Sequence, residues 1–242
     1  MFKSDRFLVP LHDLRKKTYF VLGNLCLLSL IAMSAVFYRE RIEFCDTAFQ
    51  TVYLMIEQRP CINWYRPGAI IPQIIPLFAI WAGAGIKTVM MLYSMSFLVF
   101  FYVMFLLAWA FSRKWILFFV IPLYLVLITG DVFYWPQSEL QQGMIWLCIY
   151  TILLFEKIEF LPAKHKWAFH FCFILWIQFF HPLMFFPVLF LLSYYYATHP
   201  GLTIRVAFRH IALCVAAFAV RYGGHEFLVR KKAPGNRFIT CK

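Results

Sequence analysis

Asp46, Glu139, Asp131, Arg59, Arg66 and His181 stand out because the chain around them is so apolar: of 242 residues, 63% are hydrophobic and 14% charged. A carboxylate such as Asp46 can take the proton of a hydroxyl. It lies in "FCDTAFQ" (44–50), where it can equally cap a helix predicted over 47–58. Arg59 and Arg66 stay charged, and their planar forks match phosphate oxygens. Beside Trp64 and Tyr65 they could also hold lipid headgroups or anchor a helix at a membrane surface, and Tyr65 could stack on a bound ring. Asp131 and Glu139 bracket "VFYWPQS", which contains Trp135. Such carboxylates can orient a ligand or help to hold a divalent cation, Mg or Mn, whereas Glu139 also suits the start of a helix. His181, before Pro182, can donate to an anion or satisfy a helix end.

Other chemistries lack their motifs. There is no phosphate-cradling glycine loop, metalloprotease helix or dinucleotide fingerprint. The seven cysteines form no CxxC pair, which argues against zinc and dithiol redox sites. Cys45 and Cys61 fall in one loop and could pair in an oxidising compartment. The high aromatic content (21%) reads as lipid-facing packing.

The elements that must position these residues are helices. Continuous apolar runs near bilayer length predict an all-α polytopic membrane protein, since backbone in lipid must satisfy its own hydrogen bonds. A β-barrel would need short alternating segments instead. A basic, cytoplasmic segment, 1–17, precedes a first span over 18–38, read as an uncleaved helix for want of a cleavage site. Further spans are predicted over 86–111, 115–130, 140–155, 167–180, 183–196 and from 211, about seven in all. His181-Pro182 divides a run too long for one helix. "ATHPGLTIRVAFRH" (197–210) reads as a basic turn, and 223–242 as a basic tail. No span carries a basic residue at mid-depth, which weakens an ion-pathway reading.

Residues 69–85, with Pro72 and Pro76, decide the topology. If they do not cross, Lys3, Arg6, Arg15–Lys17, Arg113, Lys114, Lys157, Lys164, Lys166, Arg205 and Arg209 all lie inside with the N-terminus. If they cross, several of these move outside. The positive-inside bias prefers the first layout. Residues 39–85 then form an outer loop with two juxtamembrane helices, the first with Phe49, Val52, Tyr53 and Ile56 at helical spacing. The net charge of +12 fits basic cytoplasmic loops of an inner-membrane protein and gives no reason to invoke nucleic acid.

Asp46 in "CDTAF", "RPGAIIPQIIPL" (66–77), "LYSMSF" (92–97), "WPQSE" (135–139) and "FFHP" (179–182), set in this layout, resemble the GT-C superfamily of membrane glycosyltransferases over about residues 15–226. The resemblance implies a polyprenyl-phosphate-linked sugar donor, transfer to an acceptor at the outer face, and Asp46 as general base, with inversion at the anomeric carbon. Glu139, nominated by its residue chemistry, is a second catalytic candidate. Arg59, Tyr65, Arg66, Asp131, Trp135 and His181 would line the substrate site. Thr47 stands where many members carry a second acid, and members usually continue beyond this length. The alternatives are a non-catalytic or shortened relative, to which a partner subunit could supply the missing part, and a transporter of lipids or sugar-lipids.

Overall fold

The computed structural model describes residues 8–43, 45–62, 66–133, 138–156, 165–199 and 203–231, the side chains of 8–13, 45, 46, 128–132 and 224–231 excepted. The described residues are all-helical, without strands. The helices are α1 (Leu8–Val36), α2 (Tyr38–Ile42), α3 (Cys45–Glu57), α4 (Ile74–Trp81), α5 (Ile86–Phe111), α6 (Trp115–Val132), α7 (Glu139–Phe155), α8 (Lys166–Phe180), α9 (Phe185–Thr198) and α10 (Ile204–Lys231). Short 3-10 turns cover Pro67–Gln73 and Pro182–Met184. Among the described residues, two helices are long and apolar enough to cross a membrane: 14–36 within α1, and α5. The chain forms two compact units, 1–58 with 72–137, and 59–71 with 138–242.

In the first unit α5 is the axis, packed by α1, α2, α4 and α6. Lys16 Nζ donates to the Ser112 carbonyl (2.8 Å), Tyr102 to Asn24 (2.8 Å), and Ser94 to the Ser34 carbonyl (2.7 Å). These pairings fix α1 and α5 as antiparallel. The chain therefore leaves α1 and re-enters α5 at one end of the unit, while Lys16, Arg113 and Lys114 gather at the other. Residues 69–85 are a 3-10 turn followed by the eight-residue α4, in agreement with a short, proline-interrupted element. Prolines shorten it because each removes a backbone donor and crowds the preceding turn.

α3 turns a polar face inward. Thr47, Gln50 and Thr51 are buried, while Phe49, Val52 and Ile56 are exposed. Gln50 Oε1 accepts from Gln73 Nε2 (3.0 Å) and the Tyr93 hydroxyl (3.1 Å). Ser96 donates to the Tyr93 carbonyl (2.8 Å) and to that of Pro72. Arg41 is fully buried at this same end; it donates to Ser94 Oγ (2.8 Å), the Ser94 carbonyl (3.2 Å) and the Phe133 carbonyl, and stacks on the Phe133 ring. A buried guanidinium persists only with such a set of acceptors.

The second unit is an up-and-down bundle of α7 to α10. Its core joins Leu147, Tyr150 and Leu154 to Ile174, Ile177, Val188, Leu192 and Ala217. Large apolar side chains also face outward, among them Phe186, Phe190, Phe208 and Val215. Polar side chains inside and apolar ones outside suit an apolar solvent. The break at His181-Pro182 falls where the sequence puts it: α8 ends at Phe180, and His181 is extended (φ −155°, ψ 143°).

Several boundaries differ from the sequence reading, and α1 starts at Leu8, within the segment expected to precede the first span. α6 continues through Asp131 to Val132, into the expected polar turn. α10 starts at Ile204, inside the expected basic turn, and runs to Lys231. Pro200 and Gly201 are the only breakers in that turn, and beyond them the Val206 and Ala207 amides already bond to the Thr203 carbonyl. α3 starts at Cys45, so Asp46 lies within its first turn and not at the cap. The helix dipole favours a carboxylate there as well.

Candidate functional site

The fold of the second unit gathers chemistry at one end of its bundle. Glu139 opens α7, His181 closes α8, Arg221 lies late in α10, and Arg66 comes from the segment before Pro67. α7 runs antiparallel to α8, and α10 parallel to it, which brings these three helix ends to one level. Gly143 makes the approach close: a Cβ there would meet Met184 Sδ at 2.9 Å and Phe180 Cβ at 3.1 Å. Gly68 does the same for the entering segment, since a Cβ would collide with the Phe180 ring.

Arg66 Nη1 lies 3.5 Å from Glu139 Oε2, with the two side chains 25% and 13% exposed. That is ion-pair distance, and it engages one corner of a guanidinium that has five donors. The Arg66 charge reaches His181, Arg221 and Tyr222. Arg221 is buried, with its guanidinium 4.9 Å from the Phe179 ring centre. Two cations and one carboxylate therefore share this end.

Burial, and then the Arg66 charge, hold the His181 imidazole below its usual range. Geometry agrees, because His181 Nδ1 accepts from the Leu183 amide at 3.1 Å and must be unprotonated. The neutral ring satisfies the start of the Pro182–Met184 turn, which is the structural role offered for it.

The predicted site residues divide as follows. Arg66, Glu139 and His181 come together. Arg59 is exposed at the bend after α3. Asp46 and Asp131 belong to the first unit, in the first turn of α3 and the last turn of α6, and their side chains lie outside the described residues. Tyr65 and Trp135 lie outside them entirely. Cys61 is buried and disulfide-bonded; Cys26, Cys148, Cys172 and Cys214 are free, and the Cys45 side chain lies outside the described residues. Among the described residues no three His, Cys, Asp or Glu side chains come close enough to hold a metal ion.

Sequence reasoning passed over Arg221, Gln141, Gln142 and Gln178. The last three are buried at 5%, 0% and 1% exposure. Gln178 Nε2 donates to the Cys214 carbonyl (3.2 Å), but its Oε1 has no partner. Gln141 Oε1 and both ends of the Gln142 amide have none either. The signal was available: two adjacent glutamines in the first turns of an otherwise apolar helix are costly unless they have partners. Arg221 lies within the last predicted helix, and its burial and its place beside Arg66 appear only in the tertiary structure. No known protein family, characterised protein or solved structure matches this chain.

Proposed function

We propose that this chain is an integral membrane glycosyltransferase that takes a sugar from a polyprenyl-phosphate donor. The observation that carries the reading is the grouping of Arg66, Glu139, Arg221 and neutral His181 at one end of the second unit. A lipid phosphate leaving group needs fixed cations in a poorly hydrated place, and two guanidinium groups at the rim of an apolar bundle supply them. Glu139 holds Arg66 in position.

In this reading the chain crosses the inner membrane about seven times with its N-terminus in the cytoplasm. The antiparallel pairing of α1 and α5, with Lys16, Arg113 and Lys114 at one end, supports that orientation, and the outward apolar side chains support a lipid surrounding. A carboxylate takes the acceptor's hydroxyl proton; by resemblance the candidate is Asp46, and within the second unit it is Glu139. The acceptor oxygen forms its bond to the anomeric carbon as the bond from that carbon to the phosphate oxygen breaks. The electron pair leaves with the polyprenyl phosphate, which Arg66 and Arg221 bind.

Sugar transfer in proteoliposomes tests this. Arg66→Ala should lower transfer about a hundredfold, the usual loss when one preorganised donor to developing charge is removed. Asp46→Asn should abolish it, and unchanged transfer in that variant would move the base to Glu139. Absence of transfer by the wild type across several polyprenyl-phosphate sugars would refute the enzyme reading in favour of a non-catalytic relative.

A further inference from the structure

The buried polar groups of α7 point to a ligand that a phosphate site does not explain. Gln142 is fully buried, and neither its Oε1 nor its Nε2 has a hydrogen-bond partner. One turn on, at i+4 and thus on the same face, the Trp146 indole Nε1 is also buried without a partner. Native proteins complete such groups in nearly every case, so two of them one turn apart on the same helical face need an explanation. The groups are all neutral. They offer two donors and one acceptor on the amide and a further donor on the indole.

The surroundings are aromatic. The Trp146 ring meets Phe173 and Trp176 edge-on, with centroids 6.0 and 5.8 Å apart, and Trp176 meets Phe180 at 5.3 Å. Trp176 is itself 38% exposed, so an aromatic surface reaches the outside of the bundle beside these groups. A tryptophan that only anchors a helix at a membrane surface keeps its N–H in the wet layer. Trp146 has its N–H inside, so anchoring does not account for it.

We infer that Gln142 and Trp146, with the Trp176 ring, bind a neutral, hydroxyl-rich ring such as a pyranose. Amide and indole groups serve its hydroxyls, and the aromatic surface serves its C–H face. Gln142 lies three residues past Glu139, one helical turn deeper than the Arg66 ion pair. The assignment of this ring to a lipid-linked sugar rests on the proposed function; the neutral-ring chemistry does not.

A pair of measurements on the full chain in nanodiscs tests the inference. The probes are octyl pyranosides of several stereochemistries, below their micelle concentration, and undecaprenyl phosphate with and without a glucosyl group. Wild type should bind at least one pyranoside, with quenching of tryptophan fluorescence. Gln142→Leu should weaken that binding about tenfold, as loss of two neutral hydrogen bonds would. It should also raise the melting midpoint by about 2–4 °C, because it removes an unpartnered buried amide. Trp146→Phe, which keeps the ring and drops the donor, should weaken binding about threefold. Wild type that binds no pyranoside overturns the inference. So does a lower melting midpoint in Gln142→Leu, which would make Gln142 a structural residue partnered by buried water. Pyranoside binding without competition from the glucosylated undecaprenyl phosphate sustains the inference and removes the transferase reading. Equal binding of the bare and glucosylated lipid, with no pyranoside bound, does the reverse.

Discussion

The two units treat buried polar groups in opposite ways. In the first unit Arg41 reaches three acceptors, and Gln50 Oε1 accepts from both Gln73 and Tyr93. In the second unit lie all the described side chains that have a buried nitrogen or oxygen without a partner, Gln141, Gln142, Gln178 and Trp146 among them. Both units bury apolar cores, so the difference does not reflect poor packing. Satisfied buried polar groups specify a fold, whereas unsatisfied ones cost stability and persist where something else completes them. The first unit thus uses its polar interior as framework, and the second keeps polar capacity in reserve for a ligand.

That contrast can be broken most directly at Arg41. Arg41→Ala leaves the Ser94 and Phe133 carbonyls buried without this donor, and should cost about 3 kcal/mol or more. Chemical denaturation in detergent would measure it, and a cost below about 1 kcal/mol would remove Arg41 from the framework. Gln50→Leu comes next. It strips the acceptor from Gln73 and Tyr93 and should destabilise by about 2 kcal/mol. Gln142→Leu, the same exchange in the other unit, should stabilise by about 1 kcal/mol. Opposite signs for one substitution in two buried places are the sharpest statement of the comparison, and equal signs would end it.

The smallest expected effect is on His181. Its folded pKa lies below the unfolded value, so the unfolded chain binds more protons between the two. The stability it contributes is complete above the unfolded value, near 6.5, and is lost as pH falls through the lowered folded value. Protonation also removes the acceptor for the Leu183 amide. Melting followed from pH 8 to pH 5 should show a decline in wild type that is reduced in His181→Asn, which keeps a side-chain acceptor without the titration. An identical pH profile in both would assign the decline to other groups.

Several features of the fold were legible from residue pattern. The end of α5 and the break at His181-Pro182 follow from proline chemistry and uninterrupted apolar runs, both local. The short element at 69–85 was legible for the same reason. Helix starts were less legible. Cys45 for α3 and Ile204 for α10 lie upstream of the expected starts, because polar residues in a first turn do not break a helix. For the site, Arg66, Glu139 and His181 were nominated by residue type alone. Gln142 and Trp146 were not, since a neutral side chain draws notice only once its burial and lack of partners are known.

By itself the sequence determined that this chain is helical and apolar, where most of its helices run, and which charged residues could act. Those properties depend on neighbours within a few turns. Tertiary structure alone decided that α3 buries its threonines and Gln50 while Phe49 and Ile56 face out, that Arg41 lies in the framework, and that Arg221 joins Arg66. It also decided which glutamines are satisfied. Burial and hydrogen-bond partnership are set by residues far apart in the chain, such as Arg41 with Phe133 and Gln178 with Cys214, and no local pattern encodes them.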